Sequence, residues 1–221
     1  MFLLRLALVS LFISTTSANP RICQTQIEHS DSKLILANDL SLYRNTQYAN
    51  SSLQYYASTF SIGIQSINIR LSGDQVQNYE SDTYFNASKK FDLTEQYAIE
   101  IGGMLGTNFN SHVQQLHAAG YTDIGYTINP NLSIAFGSYY VNDVLATKHQ
   151  PFNVHAGLKY KIDDFVFTGD YFSGNNNLSG ANVNVFYKIT PNIRPYIGVQ
   201  IPEKNSGNEF AGTIGISVKL N

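Results

Sequence analysis

Apolar and polar residues alternate one by one along most of the chain after residue 82. In the stretch HAAGYTDIGYTI at 117–128, Ile124 and Ile128 fall on one face, while Tyr121 and Asp123 fall on the other. Successive side chains of an extended strand point to opposite faces, so a period of two predicts strands with one apolar face. The pattern covers residues 83–91, 99–105, 117–128, 132–141, 152–162, 165–171, 182–189, 193–201 and 210–220.

The connections between these segments also alternate, between short and long. Three segments end on a tyrosine, an aliphatic residue and a tight polar turn, in YTINPNL, YKIDDF and YKITPNI. Proline presets φ in such turns, and the flanking polar residues tolerate the bend. The short connections DLTEQ, NPN, DD and TPN therefore predict hairpins. The longer ones are polar: SGDQVQNYESD, NSHVQQ, NDVLATKHQ, SGNNNLSG and PEKNSGNE.

Strands of about ten residues with short turns at one end and long loops at the other are typical of a transmembrane β-barrel. In lipid an open sheet edge would leave backbone groups unpaired, so the sheet must close on itself. We expect the short turns to face the periplasm. Tyr126, Tyr160 and Tyr187 then lie where an aromatic girdle meets the lipid headgroups on the turn side.

The sequence thus predicts an all-β fold, a closed antiparallel transmembrane β-barrel. Ten strands are counted, with eight or twelve as alternatives. The tenth lies within TFSIGIQSINIRLSG, where the phase slips between Ile64 and Ile67 and predicts a bulge near Gln65 and Ser66. This pattern, over residues 51–221, resembles small porin-like outer-membrane barrels of Gram-negative bacteria.

The first residues predict export. Arg5 precedes an apolar run at 6–13 that fades into STTSA, which favours a cleaved signal peptide over residues 1–18. The apolar run is too short to span a bilayer as a helix. Residues 19–50 are interpreted as an N-terminal periplasmic or lumenal segment, and residues 51–221 as the outer-membrane barrel. Cys23 is the single cysteine, so no internal disulfide is possible.

Composition agrees with this picture. Only 14% of the residues are charged, against about 25% in an ordinary soluble domain. A mean hydropathy of −0.16 does not suit a bundle of membrane helices. The net charge of −2 gives no general attraction to nucleic acid, which is not an expected partner. The expected partners are outer-membrane lipids, the outer-membrane insertion machinery and small polar solutes.

The face opposite the apolar one carries the ionisable residues that would line the lumen. They are Arg70, Lys90, Glu100, Asp123, His155, Lys159, Lys161, Asp170, Lys188, Arg194 and Lys219. Two interpretations stay open. Basic side chains toward the turn end would favour small anions in a narrow pore, or ion pairs would fill and stiffen a narrow barrel.

Catalytic and cofactor chemistry find little support in the sequence. The five histidines are dispersed without metal-ligand spacing, and no persuasive serine partner accompanies His117 or His155. We expect no catalytic residues, no metal and no cofactor. The pattern favours a narrow porin-like channel for passive diffusion of small polar solutes, or a structural surface barrel. A surface interaction protein that acts through its extracellular loops is the alternative, and an outer-membrane enzyme is the least favoured.

Overall fold

The chain forms twelve β-strands. The structure is a computed structural model and describes residues 32–72, 81–108, 115–146, 152–204, 206 and 208–220; of Arg70 it describes the backbone alone. The strands are β1 (Lys33–Leu42), β2 (Gln47–Tyr56), β3 (Phe60–Ser72), β4 (Asp82–Asp92), β5 (Tyr97–Asn108), β6 (Leu116–Asn129), β7 (Leu132–Val141), β8 (Phe152–Ile162), β9 (Phe165–Phe172), β10 (Gly180–Tyr187), β11 (Ile193–Pro202) and β12 (Ala211–Leu220). Signal cleavage after Ala18 and the thiol of Cys23 lie outside the described residues.

The strands form a closed antiparallel barrel in which each pairs with its neighbours in the chain. β1 and β12 close the ring, with Leu34 opposite Leu220 and Leu42 opposite Gly212. The predicted closed all-β barrel is confirmed, with the alternative of twelve strands in place of ten. No helix among the described residues is long and apolar enough to cross a membrane.

The predicted start of the barrel at residue 51 is wrong. β1 and the first four residues of β2 lie within residues 33–50, which were interpreted as a periplasmic or lumenal segment. The alternation is weak there, because β1 reads KLILANDLSL and β2 reads QYANSSLQYY, with small or polar residues on both faces. A period of two is hard to recognise when neither face is consistently apolar.

The barrel has two distinct ends, which we call the turn end and the loop end. At the turn end the connections are residues 57–59, 93–96, 130–131, 163–164 and 188–192. In one of the two shortest, Asp163 takes a φ of 51°, a left-handed conformation that a tight turn accepts from aspartate. The connections at the loop end are longer, except for residues 43–46 between β1 and β2. Since the strand number is even, β1 begins and β12 ends at the turn end.

The predicted bulge is present in β3, about two residues later than expected. Pairing between β2 and β3 shifts register between Ala49 and Ser51, which lie opposite Ile69 and Ser66. Asn68 sits in this gap with a φ of 58°, and the side chain of Asn50 accepts a hydrogen bond from its backbone N–H. The extra residues bend the strand and strengthen its twist, as bulges do in barrels.

The alternation divides the side chains between two surfaces. The outer wall exposes large apolar side chains, among them Phe152 at 77% and Ile197 at 62%. The inner wall carries amides, hydroxyls, charged groups and tyrosines, many of them buried. A wall that is apolar outside and polar inside suits lipid around the barrel and water or ion pairs within it.

Candidate functional site

The lumen brings most of the predicted ionisable residues onto one inner wall. The inward set comprises Lys90, Glu100, Asp123, His155, Lys159, Lys161, Asp170, Arg194 and Lys219. Lys188 lies elsewhere: it follows the last residue of β10, is 45% exposed and places its Nζ 3.8 Å from Asp164 at the turn-end rim. Arg70 lies in β3 opposite Tyr48.

Tyr126, Tyr160 and Tyr187 lie on the outer wall near the turn end, and Tyr126 stacks on Tyr97.

Several of these residues form one continuous row across neighbouring strands. Register pairs Lys90 with Glu100, Glu100 with Asp123, Asp123 with Gly137, and Gly137 with His155. The Tyr121 hydroxyl donates a 2.7 Å hydrogen bond to Glu100. Because Lys90 lies near the turn end of β4, the row climbs from there toward the loop end.

The upper part of this row is tightly enclosed. His155 and Asp123 form a direct side-chain contact, and they are 1% and 3% exposed. The His155 ring stacks on Phe172, with centroids 5.2 Å apart and an interplanar angle of 12°. A buried Asp–His contact packed on an aromatic ring holds three strands together, since these residues come from β6, β8 and β9.

Basic side chains concentrate at the turn end of the lumen. We call Lys33, Lys90, Lys159, Lys161, Arg194 and Lys219 the basic cluster; all six are inward positions in the turn-end half of their strands. Inward acids at this height are Glu100 and Asp92, and Asp92 lies 2.8 Å from the Lys90 Nζ. Asp39, Asp123 and Asp170 lie farther toward the loop end. The lumen therefore carries mainly positive charge at the turn end and negative charge farther toward the loop end.

Sequence reasoning missed several inward charges. Lys33 and Asp39 were missed because β1 was not recognised as a strand, and Asp92 because the predicted strand stopped at residue 91. The Lys33 Nζ lies 5.5 Å from the ring centroid of Tyr56. Asp39 is fully buried and accepts a hydrogen bond from the Tyr196 hydroxyl, across the closing pair of strands. The polar dipeptide Asn38–Asp39 inside an otherwise aliphatic run was the available signal.

Glycines let large inward side chains lie flat against the wall. A methyl group at Gly102 would come 2.5 Å from the Tyr121 hydroxyl oxygen, and one at Gly215 would come 2.6 Å from the Tyr196 ring. Gly106 receives the Tyr84 ring in the same way. Because each ring occupies the space of a missing side chain next to it, these tyrosines extend along the wall instead of across the lumen.

An apolar cluster packs inside the loop end. Two connections fold inward there: residues 142–146 bring Leu145, and residues 173–179 bring Leu178, which are 2% and 1% exposed. We call this cluster the outer cap; it consists of Ile67, Tyr84, Met104, Ala119, Tyr139, Val141, Leu145, Phe172 and Leu178. All but the two leucines lie on strands, so the cap joins two loops to the inner wall.

Hydrogen bonds fix the two loops of the outer cap to each other and to β7. The Asn177 N–H donates to the Leu145 carbonyl at 3.0 Å, and Ala146 pairs with Asn176 as an isolated bridge. The Tyr139 hydroxyl donates to the Ser173 carbonyl and accepts from the Asn176 side-chain amide at 2.9 Å. Among the described residues, the loop end of the lumen thus holds a packed apolar cluster, and the turn end carries polar, partly exposed side chains.

The described residues offer little for metal chemistry. No group of three or more His, Cys, Asp or Glu residues among them is placed to hold a metal ion. His117 lies near the loop end and forms a 2.7 Å hydrogen bond through Nδ1 with the Tyr84 hydroxyl. The two histidine contacts, Tyr84–His117 and Asp123–His155, do not include a serine.

Comparison with known proteins gives a fold relationship. No protein-family model matches the chain, and no curated protein matches its sequence. Among solved structures, a KdgM porin matches with a TM-score of 0.64 and 14% identity, over 85% of this chain and 99% of the porin. A NanC porin matches with a TM-score of 0.61 and 15% identity, over 85% of this chain and 100% of the porin. Outer membrane phospholipase A from Escherichia coli matches with a TM-score of 0.50 and 13% identity, over 89% and 98% of the two chains. The chain therefore has the fold of porin-like outer-membrane barrels.

Proposed function

We propose that this protein is a narrow porin-like channel of the outer membrane that passes small polar solutes by passive diffusion and prefers anions. The observation that carries the proposal is the polarised lumen, in which the basic cluster lines the turn end inside an apolar outer wall. Rings of like charge in a narrow pore favour the opposite ion, since few water molecules screen them.

The structural neighbours support a channel in preference to an enzyme. KdgM and NanC are porins, and one KdgM porin structure is a complex with disordered oligogalacturonate. Galacturonate is a sugar carboxylate, so it is a suitable anionic test solute for this chain. Outer membrane phospholipase A shares the fold, but His155 of this chain is buried inside the barrel against Asp123 and Phe172. That setting suits packing of the lumen better than catalysis on lipid.

The outer membrane is the proposed location, and the mature barrel is proposed to insert with its turn end toward the periplasm. The short connections of the turn end support this orientation, since such barrels have short periplasmic turns. The exposed aromatic residues at this end, among them Tyr97, Phe165 and Tyr187, would lie at the periplasmic interface. Aromatic rings of this kind prefer the boundary between hydrocarbon and headgroups. The basic cluster would then face the periplasm, and solutes leaving the lumen there would pass it last.

Planar-bilayer recording tests the channel. We expect the purified mature barrel to give small discrete conductance steps, with a reversal potential of anionic sign in a potassium chloride gradient. Sodium galacturonate should carry measurable current when it replaces chloride. The matched control is a bilayer that receives detergent alone. Absence of steps from both the natural chain and variants with a disrupted outer cap would contradict the channel and favour a structural barrel.

A further inference from the structure

We propose that the outer cap is a gate that holds the loop end shut: residues 142–146 and 173–179, which pack inside this end, withdraw together to open it. This inference rests on the proposed channel function, because a gate has meaning where solutes pass. It goes beyond that function by naming the element that moves and the contacts that hold it shut.

Apolar packing holds the closed state. Leu145 and Leu178 insert between inward side chains of the wall, including Met104 and Phe172, and both leucines are almost completely buried. Their removal from the mouth would expose them to water at the cell surface. Burial of apolar area is the general driving force that favours the inserted position.

One tyrosine acts as the latch. The Tyr139 hydroxyl holds the backbone of Ser173 and the side chain of Asn176, at the start and the middle of the second loop. Leu178 is held in turn, since its N–H donates to the Asn176 side chain at 2.9 Å. The position of the inserted leucine therefore depends on a short series of bonds that begins at Tyr139.

The second loop carries flexible points where a hinge would be needed. Gly174 and Gly180 border the inserted segment and take φ values of 104° and 137°, a region open mainly to glycine. Glycine at both ends permits large changes of backbone angle at low cost in steric strain. The proposed movement therefore places its hinges at these two glycines.

The experiment compares Tyr139→Phe with Tyr140→Phe. The first variant removes the latch hydroxyl and keeps the ring, whereas Tyr140 is the next residue, lies on the outer wall and is 42% exposed. We expect single-channel recording to show an open probability at least several-fold higher for Tyr139→Phe and unchanged for Tyr140→Phe. Leu178→Asn should open the channel further.

A second measurement does not depend on conduction. Ala119 lies in the outer cap and is 7% exposed, so its substitution by cysteine in a Cys23→Ala chain reports access to the closed region. We expect a membrane-impermeant thiol reagent to label Ala119→Cys slowly, and several-fold faster when Tyr139→Phe is added. Circular dichroism checks that each variant is folded.

The outcomes separate the gate from the channel. Equal labelling rates and equal open probabilities with and without the latch hydroxyl would overturn the gate and leave the channel intact. Faster labelling without conductance in any variant would overturn the channel while confirming that the cap moves.

Discussion

Replacing Lys161 and Arg194 together by glutamate is expected to abolish the anion preference of the pore. Both side chains are inward positions of the basic cluster near the turn end, on β8 and β11. The double substitution changes the local charge by four units in a narrow lumen. Among the described residues, the basic cluster faces only Glu100 and Asp92 at this height, so this loss of charge leaves the turn end of the lumen close to neutral and removes the cause of the anion preference.

The reversal potential in a potassium chloride gradient measures this effect directly and should fall close to zero. Lys89→Glu is the matched control, because Lys89 is the outward neighbour of an inward lysine at nearly the same height. It should leave ion preference unaltered. A reversal potential that stays anionic in the double variant would show that the basic cluster does not set selectivity.

Gly137→Ala is expected to destabilise the barrel strongly, by about 3 kcal/mol. A methyl group at Gly137 would overlap the Thr122 carbonyl oxygen and the Asp123 carboxylate, and would come 2.9 Å from His155 Nε2. The added methyl group cannot move away from the Thr122 backbone without pressing further into the buried Asp123–His155 contact. The Asp123–His155 contact would have to separate.

Urea unfolding followed by circular dichroism measures the loss; the chain contains no tryptophan to report by fluorescence. Gly169→Ala and Gly212→Ala are the controls, because no heavy atom lies within 4 Å of a methyl group at either position. Both lie on the outer wall and should change the free energy of unfolding by less than about 0.5 kcal/mol. Similar losses at all three positions would contradict the proposed cause.

The alternation of residues predicted the wall from β4 to β12 well, because lipid on one side and water or ion pairs on the other impose a strict period of two. The same rule misplaced Lys188. Its parity matches that of Asn184, but β10 ends at Tyr187 and the next residue already belongs to the turn. Periodicity gives the face of a residue only while the strand continues.

The outer cap could not be predicted from the pattern. Leu145 and Leu178 stand within polar loop sequences, NDVLATKHQ and SGNNNLSG, and an isolated leucine in a loop has no period to follow. What places them is long-range packing against side chains from several strands. A leucine flanked by turn-forming residues was the available sign that these loops fold inward.

The seam between β1 and β12 has a consequence for biogenesis. Its partners are far apart in the chain, as with Leu34 and Leu220, whereas the other strand pairs join neighbouring hairpins. Contacts of large sequence separation form late, because the entropy of closing the intervening loop must be overcome first. The growing sheet therefore keeps two unsatisfied edges until its final strand arrives, and a chain lacking β12 would remain an open ribbon prone to aggregation.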